Sequence, residues 1–277
     1  SMKQLINHHV HTTGSDGKLS PEETIKQAVE KKLNFICFTD HYPYPKEVDK
    51  WGENFHSEKY YKEALKAIEK FKDKIEVSYG GEFDWLENHQ EYTKKEINKR
   101  KYDFILCSMH KIKVNNKYLT INNSEEEWEK IILEFKDIKK LIKEYYKQLT
   151  LAAESKLFDC IAHFDLVKIY NENYKYFNEN EEWYKKEVMK TIEAIAKSKT
   201  AIEINASGWR RKCAEQYPSI WILKEMKKRN IPITIGTDSH YPEQLTQDLE
   251  KVRELAKKAG YTSILKFKNR KPIEIEI

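Results

Sequence analysis

The alternation of short apolar runs with helix-like segments is the feature that most constrains the fold of this chain. Strands this apolar are usually covered on both faces, and right-handed crossovers connect parallel neighbours. The pattern therefore predicts an α/β fold with a parallel sheet, either an open doubly wound sheet or a closed barrel. The seven predicted strands span residues 5–11, 35–39, 75–82, 104–109, 158–163, 201–205 and 233–237. Helical periodicity is found at residues 21–32, 58–71, 138–155, 184–199 and 220–229.

The first predicted helix has the clearest start. Ser20 can cap it, Pro21 suits its first position, and Glu23 completes a capping box. Such a box satisfies backbone N–H groups that have no partner inside the helix. We therefore expect a helix to begin at Pro21.

Two connections, at residues 84–101 and 111–138, are longer than usual. Long loops in compact domains are often functional, so we expect both segments to be loops that wall a site. The chain has 277 residues, with no internal repeat, low-complexity tract or shift in composition. These properties favour a single domain over residues 2–277.

Composition narrows the class of protein. The net charge is only +5, and Lys and Arg alternate with Glu along the helices, so nucleic-acid binding is not indicated. No apolar run approaches the roughly 18 residues of a membrane span, and no secretory signal is recognisable near the start. We therefore expect a cytoplasmic protein that does not bind membranes, with Ser1 a remnant of expression and Met2 the natural start. The cysteines are far apart, with no CxxC pair, and we expect buried, reduced thiols at Cys37, Cys107, Cys160 and Cys213.

Six of the nine histidines lie at or just beyond the end of a predicted strand. His9 and His11 are two residues apart on one strand, so both point to the same side, whereas His8 points to the other and is not expected to be a ligand. Asp238 and His240 repeat this spacing after the seventh strand. In a barrel, or at one edge of an open sheet, such positions converge on one mouth.

This convergence predicts a metal site, because imidazole nitrogen and carboxylate oxygen are ligands of Zn, Mn and Fe. The predicted ligands are His9, His11, Asp16, His41, Glu82, His110, His163, Asp238 and His240. They exceed what one ion holds, so we expect two or three divalent ions with Glu82 as a bridging carboxylate. Asp40, Asp84 and Asp165 adjoin these positions and either orient the ligands or act as capping or surface groups. Paired ions roughly 3.5 to 4 Å apart activate water and stabilise both oxygens of a phosphoryl displacement.

The residues around these positions resemble the motifs of the PHP superfamily. The similar segments are His9-Val10-His11, Asp16, Thr39-Asp40-His41, Gly81-Glu82, Ser108-Met109-His110, Ala162-His163 and Gly236-Thr237-Asp238-Ser239-His240. The resemblance runs over nearly the whole chain and matches all nine metal positions. It implies a distorted (β/α)7 barrel with a trinuclear site, and so favours the barrel over the open sheet.

A narrower resemblance is to the monofunctional histidinol-phosphate phosphatases. It is carried by residues 203–211, which contain Asn205-Ala206-Ser207-Gly208, and by Tyr217-Pro218. It implies hydrolysis of L-histidinol phosphate, a small phosphate ester, to L-histidinol and phosphate in histidine biosynthesis. By the same resemblance Arg210, whose planar cationic fork suits phosphate, holds the substrate phosphate. The implied catalytic residues are Glu82, Asp238, His240 and Arg210, and the implied substrate contacts are Ser207, Arg210 and Arg211.

Two other functions remain open from the sequence. The first is a PHP phosphoesterase acting on nucleotides, oligonucleotides or phosphotyrosine, which turnover of those substrates would reveal. The second is a non-catalytic metal-binding accessory module, for which the loss of one or more ligands would be expected. Arg210 and Arg211 also have a simpler interpretation as solvated charges before the next helix.

Overall fold

Seven parallel strands form the central sheet in a computed structural model that describes residues 3–277. Ser1 and the predicted start at Met2 lie outside the described residues. Neighbouring strands pair in the order β1-β2-β3-β4-β7-β8-β9, so each strand lies beside the next one along the chain within this sheet. The strands are β1 (Ile6–Val10), β2 (Phe35–Phe38), β3 (Glu76–Asp84), β4 (Phe104–Ser108), β7 (Cys160–Ile161), β8 (Ala201–Asn205) and β9 (Ile233–Gly236).

The sheet closes on itself just beyond the ends of its first and last strands. The N–H of His11 donates to the carbonyl of Ser239 at 2.8 Å, and the N–H of Ser239 donates to the carbonyl of His9 at 3.1 Å. Val10 and Ser239 form a parallel bridge at the same place. The predicted α/β barrel is therefore confirmed, and the open doubly wound sheet is excluded.

Eight helices surround or flank the barrel in the described part of the chain. They are α1 (Pro21–Glu30), α2 (Glu58–Lys70), α3 (Gln90–Ile97), α4 (Glu125–Phe135), α5 (Ile138–Ser155), α6 (Glu182–Ser198), α7 (Ile220–Lys228) and α8 (Leu249–Lys258). The predicted start of α1 is confirmed, because the Ser20 side chain accepts from the N–H of Glu23 and the Glu23 side chain accepts from the N–H of Ser20. No helix within residues 3–277 is both long and apolar enough to cross a membrane.

The prediction of two long loops was wrong. The first segment contains α3, and the second contains α4 together with a hairpin of β5 (Lys111–Val114) and β6 (Lys117–Thr120). Each helix buries only two residues, Thr93 and Ile97 in α3 and Trp128 and Ile131 in α4. Each buried face is therefore short, which gives the sequence little apolar period to recognise. The hairpin turns at Asn115 and Asn116, both with positive φ, which is the geometry of a tight two-residue turn.

A second hairpin, β10 (Ser263–Lys268) and β11 (Lys271–Glu276), packs beside β9 and was also not predicted. The Ser78 hydroxyl donates to the carbonyl of Phe267 at 2.8 Å, and the N–H of Phe267 donates to Nε2 of His8 at 3.2 Å. The His8 ring lies 4.7 Å from that of Phe35, centre to centre. Burial lowers the pKa of His8 to about 3, so this imidazole is neutral and fills the apolar interior on the side away from His9.

The four cysteines are free thiols. Cys37, Cys107 and Cys160 are buried in the strands, and burial raises the pKa of each thiol. Cys213 is partly exposed. Burial is confirmed for three of the four cysteines and is wrong for Cys213.

Candidate metal centre

The carboxyl ends of the barrel strands bring all nine predicted ligands together. His9 lies on β1, Glu82 lies on β3, and the other residues follow a strand end or, like Asp16, lie in the loop before α1. Each of the nine has a nitrogen or carboxylate oxygen within 3.7 Å of another member. The geometric prediction that residues from position 9 to position 240 meet in space is confirmed.

Glu82 lies at the middle of this cluster. Its Oε1 lies 2.9 Å from Nε2 of His9, 3.2 Å from Nε2 of His11 and 3.6 Å from Nδ1 of His41. Its Oε2 lies 3.4 Å from Nε2 of His110 and 3.7 Å from Nε2 of His163. The two carboxylate oxygens thus face two different sets of imidazoles, as a bridging ligand requires.

Three groups of donors are compact enough to hold an ion, with ligand atoms within 4.8 Å of one another. Each pair of groups has one residue in common, which is His11, His41 or Glu82. They are His9, His11, Glu82 and Asp238; His11, Asp16, His41 and His240; and His41, Glu82 and His110. The donor set contains only imidazole nitrogens and carboxylate oxygens, so it fits Zn, Mn or Fe.

His163 belongs to none of these three groups among the residues described. Its Nε2 faces Glu82, and its Nδ1 is buried without a hydrogen-bond partner in the part of the chain that the structure describes. The backbone of His163 has φ +22°, and that of Asp238 has φ +56°. Positive φ is unusual for side chains of this kind and is found at sites where function constrains the backbone.

The imidazoles and carboxylates of the centre shift one another's pKa. Burial disfavours a charged imidazole at His11, but contacts to Asp238 and Glu82 outweigh it and raise the His11 pKa to about 10. Against the same effect of burial, Asp84 and Glu82 raise the pKa of His110 to about 9. The metal-free centre therefore holds protons on these two rings at neutral pH.

The pKa values of the two central carboxylates, by contrast, are lowered. Burial raises the pKa of Glu82, but the imidazoles of His41 and His9 outweigh it and hold that pKa well below its usual range. The pKa of Asp238 is likewise held low, against burial, by His9 and His11. Both groups are ionised and accept only, which is the state that a metal ligand needs.

Two carboxylates outside the predicted set hold ligand rings in place. Glu203 Oε2 lies 2.5 Å from Nδ1 of His9, and Asp84 Oδ1 lies 2.8 Å from Nδ1 of His110. A carboxylate on the far nitrogen fixes the tautomer and orientation of a metal-binding imidazole. The role of Glu203 was not predicted, although a charged residue inside the apolar strand β8 signals that a buried partner exists.

Asp40 and Asp165, the other two aspartates beside predicted ligands, make different contacts. Asp40 accepts from the N–H of Thr12 at 2.6 Å and from the Ser15 hydroxyl at 2.6 Å, so it holds the loop that carries Asp16. Asp165 accepts from the N–H of Ser219 at 3.0 Å instead of contacting a predicted ligand. Asp84 and Asp40 therefore support the centre, whereas Asp165 belongs to a separate buried network.

We expect Glu203→Gln to weaken metal binding about 10- to 100-fold, the usual effect of removing a carboxylate that orients a ligand. The amide keeps the size of the side chain but cannot hold His9 as a carboxylate does. Zinc affinity measured by competition with a chelating dye checks this. Glu193→Gln on the surface of α6 is the control, and an unchanged affinity in the Glu203 variant would contradict the orienting role.

A cavity of about 710 Å3 opens above the centre. Six of the nine predicted ligands line it, as do the predicted substrate contacts Ser207, Arg210 and Arg211; the six are Asp16, His41, His110, His163, Asp238 and His240. Residues 111–123 form part of its wall, as expected, through Lys111, Thr120, Asn122 and Asn123. Within the described chain, the segment 84–101 supplies no lining residue, so the prediction that it walls the site was wrong.

One terminal nitrogen of the Arg210 guanidinium is hydrogen-bonded and the other is not. Its Nη2 donates to the carbonyls of Thr237 at 3.0 Å and Asp238 at 3.2 Å. Its Nη1 is buried and has no hydrogen-bond partner within residues 3–277. Burial lowers the pKa of Arg210, and an unpaired guanidinium nitrogen beside a cavity is a strong attraction for an anion. The interpretation of Arg210 as a solvated surface charge is excluded.

Comparison with known proteins finds relatives that match nearly the whole chain. It is 26% identical over 280 residues to a probable histidinol-phosphatase of Deinococcus radiodurans, covering 98% of this chain and 100% of that protein. It is 27% identical over 288 residues to the histidinol-phosphatase of Lactococcus lactis, covering 99% and 100%.

The fold also matches a solved structure. The crystal structure of the Lactococcus lactis histidinol phosphate phosphatase, in complex with Zn, L-histidinol and phosphate, has a TM-score of 0.76 and 22% identity, covering 99% of this chain and 100% of that chain. The family profile named PHP domain matches residues 7–207. That range is well over half of the sequence, and it includes seven of the nine clustered donors. The chain belongs to the PHP domain family.

Proposed function

We propose that this protein is a metal-dependent phosphatase that hydrolyses L-histidinol phosphate to L-histidinol and phosphate. The observation that carries the proposal is that six donors of the nine-residue cluster line the same cavity as Arg210, whose Nη1 has no partner within residues 3–277. Two relatives with histidinol-phosphatase names match this chain over their full lengths, which supports the choice of substrate.

The nine clustered donors are proposed to hold two or three divalent ions. Glu82 would bridge two of them, because its two oxygens face different imidazoles. Zinc is the first candidate because the Lactococcus lactis protein was crystallised with Zn, and manganese and iron suit the same donors. When bound, such ions activate water and neutralise the charge that develops on the phosphoryl oxygens.

The cationic and polar groups on the wall are proposed to position the phosphoryl group. Arg210 can direct its free Nη1 at a phosphoryl oxygen while Nη2 stays fixed on the backbone of Thr237 and Asp238. Arg211 and Ser207 line the same part of the cavity and supply further donors. Fixed donors that face the developing charge lower the barrier without reorganisation.

The departing alkoxide needs a proton, and neither Asp16 nor His240 supplies it while both serve as ligands, so we propose solvent water in the cavity as its source. The pKa of Asp16 is held low, against burial, by His240, His41 and His11, so Asp16 stays ionised and is a poor acid. His240 lines the cavity, and its Nδ1 lies 3.0 Å from the carbonyl of Asp238, which fixes the ring. Asp238 and Glu82 are proposed to act as ligands that keep the centre assembled.

Turnover of several phosphate esters by the metal-loaded protein tests this function. We expect release of phosphate from L-histidinol phosphate with a higher kcat/KM than from nucleoside monophosphates, oligonucleotides or phosphotyrosine. Comparable rates on nucleotides or phosphotyrosine would favour another phosphoesterase activity. Metal binding without release of phosphate from any of these esters would favour the accessory module, although no predicted donor is displaced from the cluster.

Metal uptake should release protons. Because the pKa of His11 is about 10 and that of His110 about 9 in the metal-free centre, both rings must lose a proton before they bind an ion. We expect the apparent affinity for zinc to fall roughly tenfold or more for each pH unit below 8. Calorimetric titration in buffers of different ionisation enthalpy measures the protons released, and the same heat in every buffer would count against these assignments.

A further inference from the structure

Trp51 is half exposed at the cavity that holds the metal centre. Its side chain is 49% exposed, and it lines the cavity beside His41. The two rings are 5.5 Å apart, centre to centre, in an edge-on arrangement. A large aromatic side chain gains free energy from burial, so an indole left open at a pocket is available to a ligand.

Polar contacts fix the backbone around Trp51. The N–H of Trp51 donates to Oδ1 of Asp49 at 2.9 Å, and Nζ of Lys111 donates to Oδ2 of the same carboxylate at 2.7 Å. Lys111 is itself buried and also donates to the Thr120 hydroxyl at 2.8 Å. Both oxygens of Asp49 are thus used to tie the Trp51 segment to the β5–β6 hairpin.

The turn after Trp51 restrains the indole further. Gly52 has φ +73°, and a Cβ there would lie 2.5 Å from the ring of Phe55. The Phe55 ring packs edge-on against that of Trp51 with centres 5.0 Å apart. One side of the indole is therefore supported while the other remains open, which makes a rigid platform and reduces the entropy lost on binding.

Trp51 lies across the barrel mouth from Arg210. Trp51 follows β2 and Arg210 follows β8, so three strands separate them on one side and two on the other. A phosphoryl group held by Arg210 over the centre would direct its leaving group towards the opposite wall. The Trp51 indole lies on that wall.

We propose that Trp51 determines specificity by stacking on the ring of the leaving alcohol. This inference rests on the proposed function, because it needs a phosphate ester whose alcohol carries a flat ring. The imidazole of L-histidinol fits: it stacks on the indole when neutral and adds a cation–π attraction when protonated. Trp51 binds the part of the substrate that does not react, so its contribution belongs to substrate affinity more than to the chemical step.

Steady-state kinetics of the metal-loaded protein test this with two substrates, L-histidinol phosphate and the ringless ester phosphoethanolamine. In Trp51→Ala we expect the ratio of their kcat/KM values to fall about tenfold, through a higher KM for L-histidinol phosphate, as loss of a stacked and partly cationic contact predicts. Trp51→Phe should restore most of the ratio because it returns an aromatic face. Tyr174, which is 45% exposed and does not line the cavity, provides the matched control Tyr174→Ala with an unchanged ratio.

The outcomes separate the two proposals. If the wild-type protein shows no preference for L-histidinol phosphate, the proposed function fails, and this inference with it. If the wild type prefers that ester and Trp51→Ala keeps the preference, only the platform is disproved. Elemental analysis of each variant completes the test. Loss of metal from the Trp51→Ala protein would show that the indole supports His41 and does not bind the ring of the substrate.

Discussion

Replacing Glu82 with alanine is expected to remove bound metal and activity together. The two oxygens of Glu82 lie between two sets of imidazoles, so their loss leaves five rings without the central negative charge. We expect kcat/KM to fall about 10³-fold or more, since ions of this kind supply several kcal/mol of transition-state stabilisation. Elemental analysis and phosphate release, measured on the same preparation, check the two losses.

A control on the same strand separates this effect from damage to the barrel. Glu76 begins β3, is exposed and pairs with Lys266 at 2.5 Å, so Glu76→Ala should keep metal and activity. Glu82→Gln keeps the shape of the buried side chain and should still lose metal, because an amide does not replace a bridging carboxylate. An active, metal-loaded Glu82→Ala protein would disprove the bridging role.

Replacing Arg210 with alanine should have a different signature. The metal should remain, whereas KM for the phosphate ester and the inhibition constant of inorganic phosphate should rise about 10- to 100-fold, the usual cost of one charge-assisted contact. Arg210→Lys should recover only part of this loss, because an ammonium cannot donate to the two carbonyls and the phosphate from one planar fork.

The comparison variant for Arg210 is Arg229→Ala, just after α7. Arg229 pairs with Glu225 at 2.9 Å and does not line the cavity. It should leave KM and phosphate inhibition unchanged. Loss of metal in Arg210→Ala would show instead that this guanidinium mainly holds the backbone of Asp238, and an unchanged KM would exclude a phosphate contact.

The clustering of the predicted donors could be anticipated because strand geometry places their side chains. Residues two apart on a strand share a side, which predicted His9 and His11 as a pair and set His8 apart. Parallel strands all end at the same edge, which predicted the meeting of residues as distant in sequence as Glu82 and Asp238. Barrel closure was not predictable from the pattern alone, since it depends on two hydrogen bonds between His11 and Ser239 and between Ser239 and His9.

The parts that were not predicted lack a strong local signal. The hairpin of β10 and β11 buries few residues and turns at Asn269 and Arg270, neither of which is glycine. The hairpin and helix in residues 111–138 also bury few residues, among them Ile112, Trp128 and Ile131. The support that Glu203 gives His9 depends on the neighbouring positions of β8 and β1 across the barrel, which one sequence does not reveal.

Because the barrel closes between β1 and the segment after β9, the donors of the centre come from parts of the chain that are synthesised at widely separated times. His9 and His240 are separated by 231 positions, so the first donor is made long before its last partner. At about 5–20 residues per second, the ribosome delivers residue 240 roughly 10–45 s after residue 9. During that interval the early histidines belong to an unfinished sheet, and the nascent chain cannot assemble the complete set of donors until residue 240 has been translated.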